Sequence, residues 1–206
     1  MKIVAISDTH GKHDELLIPS GDVLIHAGDI TGYGTEQEVL LFNEFLGELP
    51  HKHKIVIAGN HDRCLELAPE QAAKLITNAS YLIDSSIIID GVKFYGSPWQ
   101  PWFFDWAFNL RRGEEIRKKW ALIDQDTDVL ITHGPPQGYC DRVKEGENVG
   151  CEALLEMVES IRPKLHFFGH IHEAYGFGSN GHTTFINASS CDYDYRVSNP
   201  PVVIDI

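Results

Sequence analysis

The strongest constraint in this sequence is one pattern that recurs: a short apolar run ends at a cluster containing Asp, Asn or His. The runs are rich in β-branched residues and are not amphipathic, which is typical of buried strands. Because ligands bind at the carboxyl ends of strands in such sheets, we expect the clusters to meet at one site. The clusters are Asp8-Thr9-His10, Gly28-Asp29, Gly59-Asn60-His61-Asp62, His133 and Gly169-His170-Ile171-His172.

The side chains in these clusters are suited to binding metal ions. The D-x-H and H-x-H spacings place both side chains on one side of an extended segment. A glycine before Asp29 permits a sharp turn, and the Asp29 carboxylate could bridge two cations. Oxygen and nitrogen donors without thiolate favour Mn, Fe or Zn over Ca or Mg, and we favour Mn. The candidate ligands, too many for one tetrahedral ion, are Asp8, His10, Asp29, Asn60, His133, His170 and His172.

Other histidines lie outside this set. His26 and His166 fall within apolar runs, where a hydrogen-bonded core histidine is a better interpretation than a role in supporting metal ligands. We expect surface positions for His51, His53 and His182. His13 is close to the first cluster in sequence and stays open.

Length and composition exclude several classes of protein. A chain of 206 residues predicts a single domain, residues 1–206. A net charge of −13 argues against binding a nucleic-acid polymer, but not against a small phosphate substrate held by metal. The four cysteines form no C-x-x-C pair, which is typical of reduced thiols in an intracellular protein. A strand from Lys2 leaves no room for a signal peptide, and no apolar run approaches the roughly 18 residues of a membrane span. We therefore expect a cytoplasmic protein that does not enter a membrane.

Local signals predict an α/β chain that becomes rich in strands after residue 80. Thr35 and Glu38 form a capping-box pattern for a helix through Glu48, and Pro69 can begin a helix through Ile76. Asp90-Gly91 predicts a tight hairpin. Further predicted elements are helices over 113–121 and 150–160, a hairpin around Ser179-Asn180-Gly181, and a strand over 202–206. This order favours two packed sheets with helices outside.

The motifs D-x-H, G-D, G-N-H-D, H and G-H-x-H, in this order, resemble the signature of the calcineurin-like metallophosphoesterases. The resemblance spans essentially the whole chain and is strongest to the metallophosphoesterase-domain-containing branch. The segments that carry this stronger similarity are Ser97-Pro98-Trp99-Gln100-Pro101-Trp102, Thr132-His133-Gly134-Pro135-Pro136 and Asn199-Pro200-Pro201-Val202-Val203-Ile204-Asp205.

The resemblance implies a four-layer α/β/β/α sandwich of two mixed sheets flanked by helices. It also implies a ligand set for each of two ions. Some animal members of the branch carry glycine at the position of His172, so its presence here predicts a complete site. The implied first set is Asp8, His10, Asp29 and His172, and the second is Asp29, Asn60, His133 and His170.

The predicted reaction is hydrolysis of a small phosphodiester by a hydroxide that bridges two metal ions. His61 could protonate the leaving oxygen or stabilise charge on the phosphoryl group. Asp62 could orient His61, or equally could cap the helix that follows.

The substrate is less defined by the sequence. The aromatic residues of segment 99–106 could form a wall on which a nucleobase stacks, but we favour a loop folded over the core, with one or two rings reaching the cleft. Resemblance favours a phosphodiester, such as a cyclic nucleotide. The Asp-Arg pair that follows Gly-Asp in protein phosphatases of the wider family is absent, although Arg63, Arg142 or Arg196 could lie nearby. Asn187-Ala188-Ser189 resembles a loop near the site.

Three alternatives remain open at this stage. A phosphomonoesterase is disfavoured by the missing arginine, and a nuclease by the acidic charge. A nucleotide-binding scaffold with little turnover is disfavoured by the intact ligand set.

Overall fold

The computed structural model describes residues 1–206, with the exception of the Ala72 side chain. The strands are β1 (Lys2–Ile6), β2 (Val23–Ala27), β3 (His53–Ile57), β4 (Ser80–Tyr81), β5 (Ser85–Ile89), β6 (Val92–Ser97), β7 (Gln100–Pro101), β8 (Asn109–Leu110), β9 (Val129–Thr132), β10 (Leu165–Phe168), β11 (Gly176–Ser179), β12 (Thr184–Asn187) and β13 (Val202–Asp205). The α-helices are α1 (Glu36–Glu48), α2 (Arg63–Leu67), α3 (Pro69–Ala72), α4 (Glu114–Trp120) and α5 (Glu152–Ile161).

The strands form two mixed sheets. The first has the order β13-β1-β2-β3-β4, in which only β13 is antiparallel to its neighbour. The second has the order β11-β12-β10-β9-β6-β5, with parallel pairing at its centre and an antiparallel hairpin at each edge. Strands β7 and β8 form a small separate pair. The carboxyl ends of β1, β2, β3, β9 and β10 carry the clusters singled out in the sequence.

Alternate residues of the central strands pack into different cores. In β1, Ile3 and Ala5 contact the core between the two sheets, whereas Val4 and Ile6 face a second core that includes Phe42 of α1. The second sheet has a third core on its outer face, formed with Trp120 of α4 and with α5. Helices therefore cover both outer faces, and the predicted four-layer α/β/β/α sandwich is confirmed.

Most predicted elements are confirmed with small shifts in their ends. The Thr35–Glu38 capping box is present, and both predicted hairpins and the final strand form. The predicted helix over 69–76 is instead α3 followed by a short 3₁₀ helix, Ala73–Leu75. The segment ends there because the Asn43 side chain binds the backbone N–H groups of Thr77 and Asn78.

The expected surface position of His51 is wrong. His51 is buried, and its Nε2 lies 3.0 Å from the carbonyl oxygen of Pro19. A backbone acceptor offered by a distant loop is not visible in the local sequence. Among the residues that the structure describes, no helix is long and apolar enough to span a membrane.

Candidate metal centre

The loops that carry the clusters have unusual backbone conformations. Asp8, His10, Asp29 and His170 have φ angles of 51°, 46°, 56° and 68°. Left-handed backbone costs roughly 1–2 kcal/mol for a residue with a Cβ atom, and such strain tends to collect at functional sites. Backbone hydrogen bonds hold two of these loops together, from Asp8 N–H to the Gly28 carbonyl and from His10 N–H to the Asp29 carbonyl.

Asp8, His10 and His172 form one group of donor atoms. The Nε2 atoms of His10 and His172 lie 3.2 Å apart, and His172 Nε2 is 3.5 Å from Asp8 Oδ1. All three side chains are buried. The donor atoms lie within 4.8 Å of one another, although the loops are more than 160 residues apart in sequence. The first predicted ligand set is thus brought together, and Asp29 completes it.

Asn60 and His133 form a second group on the other side of Asp29. His133 Nε2 is 2.8 Å from Asn60 Oδ1 and 3.4 Å from Asp29 Oδ1. The other Asp29 oxygen, Oδ2, lies 3.8 Å from His10 Nε2. The two oxygens of one carboxylate therefore face imidazoles of the two different groups, which is the arrangement a bridging ligand needs.

His170 is placed differently from the other candidate ligands. Its backbone N–H lies 3.0 Å from each oxygen of Asp8, and its ring centroid is 5.1 Å from that of His133. In the described part of the chain, its ring nitrogens do not join any of the close clusters of acidic and imidazole donors. The ring lies beside Phe103 and lines a cleft that opens above the centre.

Backbone carbonyls orient two of the candidate ligand imidazoles. His133 Nδ1 is 3.0 Å from the Ala27 carbonyl oxygen, and His172 Nδ1 is 3.0 Å from that of Asp192. A carbonyl oxygen only accepts, so each Nδ1 carries the hydrogen. When the ring is neutral, the lone pair on Nε2 is free and directed into the centre, as in metal-binding histidines.

The buried charges at the centre shift each other's pKa values. Burial alone would raise the pKa of Asp29, but His133, together with His10 and His61, outweighs this effect and holds the pKa well below its usual range. Burial alone would lower the pKa of His133, yet the Asp29 carboxylate raises it to about 9. Burial lowers the pKa of His10 to about 4, which keeps this imidazole neutral. The carboxylates are therefore ionised at neutral pH.

These residues fit divalent metal ions. The ligand atoms of Asp8, His10 and His172 lie within 4.8 Å of one another, and so do those of Asp8, Asp29 and His133. Two carboxylates, imidazoles and an amide oxygen form the mixed donor set that suits Mn, Fe or Zn. In the part of the chain that the structure describes, the close groups contain Asp and His alone, so no thiol belongs to the set.

His61 lies at the edge of the centre. Its backbone N–H donates to Asp29 Oδ1 at 2.8 Å, and its ring Nδ1–H donates to the Gly32 carbonyl at 3.1 Å. The ring packs edge-on against His10 at 4.4 Å and against Trp106 at 4.2 Å. One nitrogen of His61 also lies within 4.8 Å of donor atoms of His10 and Asp29.

Asp62 takes neither of the two roles considered for it from the sequence. Its carboxylate accepts hydrogen bonds from the backbone of Ile30, Thr31 and Gly59, and from the Thr31 hydroxyl. It does not cap α2, and the Gly32 carbonyl orients His61 instead. Burial and the nearby Asp29 carboxylate raise the pKa of Asp62 to about 6. Asp62 thus ties the Asp29 loop to the Asn60 loop.

Two buried histidines form hydrogen bonds with the loops that carry candidate ligands. His26 Nε2 bonds the hydroxyl of Thr9, which lies between two candidate ligands, at 2.9 Å. His166 Nε2 bonds the hydroxyl of Thr132 at 2.8 Å, directly before His133. Both are hydrogen-bonded core histidines, as predicted, and their hydrogen bonds also hold the loops in position. His13 is buried against Phe45, away from the donor groups.

Three glycines allow the loops to approach each other closely. A Cβ at Gly59 or Gly28 would overlap backbone or side-chain atoms around Asp29 and His133, and a Cβ at Gly169 would overlap the Asp8 carboxylate. Gly28 also has a φ of 100°. The glycines of the motifs are therefore required by close packing of the ligands.

A cleft with a volume of about 790 Å³ opens above the centre. The expectation that most rings of 99–106 fold over the core is wrong: Trp102, Phe103, Phe104 and Trp106 line this cleft and are exposed, Phe104 by 68%. Only Trp99 packs inward, with its Nε1–H bound to Asp84. The rings belong to the loop that connects the paired strands β7 and β8. The Asn109 side chain holds this loop by hydrogen bonds to the backbone of Phe103 and Phe104.

Sequence reasoning missed several residues that line the cleft. They are Tyr193, Tyr195, Glu173 and Arg112. Arg63, Arg142 and Arg196, considered as nearby cations, are not among the described lining residues. The Asn187 side chain binds the Ile171 carbonyl between two candidate ligands, as a loop near the site would. No motif marks the tyrosines, because their position depends on a loop that follows β12.

Comparisons with known proteins show which family this chain is similar to. A profile described as calcineurin-like phosphoesterase matches residues 1–174. Metallophosphoesterase domain-containing protein 1 of Homo sapiens is 47% identical over all of this chain and 71% of its own length. A UPF0046 protein of Caenorhabditis elegans is 42% identical over all of this chain and 75% of its own length. Among solved structures, a protein of unknown function from Aquifex aeolicus aligns with 98% of this chain and 95% of its own, at 19% identity and a TM-score of 0.48.

Proposed function

Because this chain belongs to the calcineurin-like phosphoesterases, we propose that it is a dinuclear-metal phosphodiesterase acting on small phosphodiesters, such as cyclic nucleotides. The observation that carries the proposal is the Asp29 carboxylate, whose two oxygens face His133 and His10 at 3.4 and 3.8 Å. We assign Asp8, His10, Asp29 and His172 to one ion, and Asp29, Asn60, His133 and His170 to the other. Manganese is the favoured metal.

Two divalent cations held in this way would polarise a phosphoryl group and acidify an attacking water. His61 acts on the leaving group. Its Nδ1–H is fixed by the Gly32 carbonyl, so Nε2 is the atom that can carry a second proton. A protonated His61 would donate that proton to the leaving oxygen, while its backbone N–H keeps Asp29 in place.

The cleft favours an aryl or nucleobase substituent on the phosphate. Four exposed rings stand on one side of the metal centre, and exposed aromatic faces beside a polar centre are typical of base-stacking surfaces. A nucleic-acid polymer is disfavoured by the net charge of −13.

The cleft favours a diester over a monoester, because the arginine in its described lining is already bound to other groups. The guanidinium of Arg112, the arginine among the described lining residues, is bound to Glu152 and to the carbonyls of Val149 and Gly150. It is therefore not free to bind the second negative charge of a monoester.

We also infer one domain over residues 1–206 and a cytoplasmic location. The first sheet joins both ends of the chain, since β13 pairs with β1 and the amino group of Met1 binds the Ile206 carbonyl at 2.8 Å. The four cysteines are free thiols, as expected in a reducing compartment.

The test compares hydrolysis of bis(4-nitrophenyl) phosphate and 4-nitrophenyl phosphate by Mn²⁺-loaded protein. We expect the diester to be cleaved faster, activity to disappear with chelator, and activity to return when Mn²⁺ is added again. A preference for the monoester would overturn the assignment of a phosphodiesterase. Stoichiometric nucleotide binding without turnover would instead identify a binding protein.

A further inference from the structure

We propose that Tyr195 contacts the substrate and donates a hydrogen bond from its hydroxyl to a phosphoryl oxygen. This inference rests on the proposed function, because it assigns a group in the lining of the same cleft. It is carried by the position of the ring, by the anchoring of its loop and by a hydroxyl that has no hydrogen-bond partner among the described residues.

The Tyr195 ring lies over the metal centre. Its centroid is 4.8 Å from that of His10, 4.9 Å from His172 and 6.0 Å from His61, so it contacts side chains from three different loops. The residue is 39% exposed and lines the cleft. A ring in this place covers the ligands of one ion and borders the space where a phosphoryl group would bind.

The loop that carries Tyr195 is fixed at several points. The Tyr195 N–H donates to the Asp192 carbonyl at 2.9 Å, and the Lys12 ammonium donates to the Tyr195 carbonyl. The Asp192 carbonyl also accepts from His172 Nδ1, so the loop is joined directly to a candidate ligand. Tyr195 itself has a φ of 58°, a left-handed conformation that an aromatic residue rarely adopts. The ring is therefore held in place before a substrate arrives.

The hydroxyl is available to a ligand. Among the described residues it has no hydrogen-bond partner, and the side chain borders the open cleft. A tyrosine hydroxyl has one O–H to donate, and here no protein acceptor competes for it.

A neutral donor suits the single charge of a phosphodiester. Arg112 is committed to Glu152 and to backbone carbonyls, as described above. Tyr195 can stabilise a phosphoryl oxygen without adding a positive charge, so it would not favour the dianion of a monoester as a free arginine does.

The test uses the whole chain loaded with Mn²⁺, with inorganic phosphate as the probe in calorimetry. Tyr195→Phe removes the hydroxyl and keeps the ring. We expect its affinity for phosphate to fall about tenfold, as for the loss of one hydrogen bond to a charged group, with Mn²⁺ content and Tm unchanged. Tyr33→Phe is the matched control, since Tyr33 is 91% exposed and lies outside the cleft lining.

Two results would overturn the proposal: phosphate affinity of Tyr195→Phe equal to that of Tyr33→Phe, or a loss of affinity accompanied by loss of Mn²⁺, which indicates a structural role. The binding test is independent of turnover. If the wild-type protein hydrolyses no diester, the proposed function fails, yet the change in phosphate affinity still decides the role of Tyr195.

Discussion

The backbone N–H of His61 donates a 2.8 Å hydrogen bond to Oδ1 of Asp29. This bond joins the proposed bridging carboxylate to the proposed acid through the main chain. Substitutions of the His61 side chain therefore leave the Asp29 contact in place, and the two roles can be separated by mutation.

His61→Ala should retain its metal but lose turnover. We expect a fall of roughly 10²- to 10⁴-fold, the range for removing a general acid, with Mn²⁺ content unchanged by elemental analysis. His182→Ala, which removes an exposed histidine, is the control and should keep full activity. Unchanged turnover in His61→Ala would remove His61 from the mechanism.

Asp29→Asn should lose metal because the shared ligand loses its charge while its shape is kept. The fall in Mn²⁺ content should be clear against Asp14→Asn, which neutralises an exposed carboxylate. Elemental analysis of the two purified variants makes the comparison. Full metal occupancy in Asp29→Asn would contradict the bridging role.

Gly169→Ala should disturb the first ligand group. The added Cβ would overlap the Asp8 carboxylate and the Ser7 side chain, so Asp8 must move or the loop must shift. We expect reduced Mn²⁺ affinity by calorimetry. Gly134→Ala is the matched control, since its Cβ would meet only Gln100 at 3.4 Å. Equal Mn²⁺ affinity in both variants would contradict this prediction, because it would show that the Gly169 loop accommodates the Cβ without disturbing Asp8.

Asp62→Asn should act on stability and metal affinity more than on the reaction itself. The carboxylate accepts four hydrogen bonds, and an amide nitrogen cannot accept those it replaces. We expect a loss of about 1–3 kcal/mol in the free energy of unfolding by urea denaturation, relative to Asp105→Asn at an exposed position. Turnover of the Mn²⁺-saturated variant should fall far less than that of His61→Ala. A larger fall would restore a catalytic role to Asp62.

The metal-free protein should lose stability in acid through its buried histidines. Burial lowers the pKa of His166 from 6.5 to about 3 in the folded state. The unfolded chain therefore binds more protons between these values, and the free energy of unfolding falls as pH decreases below 6.5. At pH 5, this amounts to about 2 kcal/mol for one such histidine.

His166→Gln can keep the contact with Thr132 and cannot titrate in this range. Urea denaturation in chelator at pH 7.5 and pH 5 should show a smaller loss for the variant than for the wild type. Equal losses would mean that His166 is protonated in the folded state as well.

Much of the candidate site could be predicted because its candidate ligands closely follow strands. Buried strands are visible as apolar runs, and Asp8, Asn60 and His133 come at their ends, so convergence follows from sheet geometry. Membership of the family was predicted from the same residues and is confirmed by the matching profile and relatives.

The remaining features depend on contacts between distant segments. The partners of Asp62 include Thr31, which is 31 positions away, and a carboxylate after a strand looks the same whether it caps a helix or joins two loops. The exposure of Phe104 depends on the pairing of β7 with β8, two strands of two residues each that carry no periodic signal. Tyr195 lies in an irregular loop outside every motif, and only the folded chain brings it to His10.

Anomalous diffraction from crystals grown with Mn²⁺ tests the central claim most directly. We predict two manganese peaks about 3.5–4 Å apart. One should lie beside Asp8, His10 and His172, the other beside Asn60, His133 and His170, with an Asp29 oxygen bound to each. A single peak, or two peaks of which neither contacts Asp29, would contradict the bridged centre.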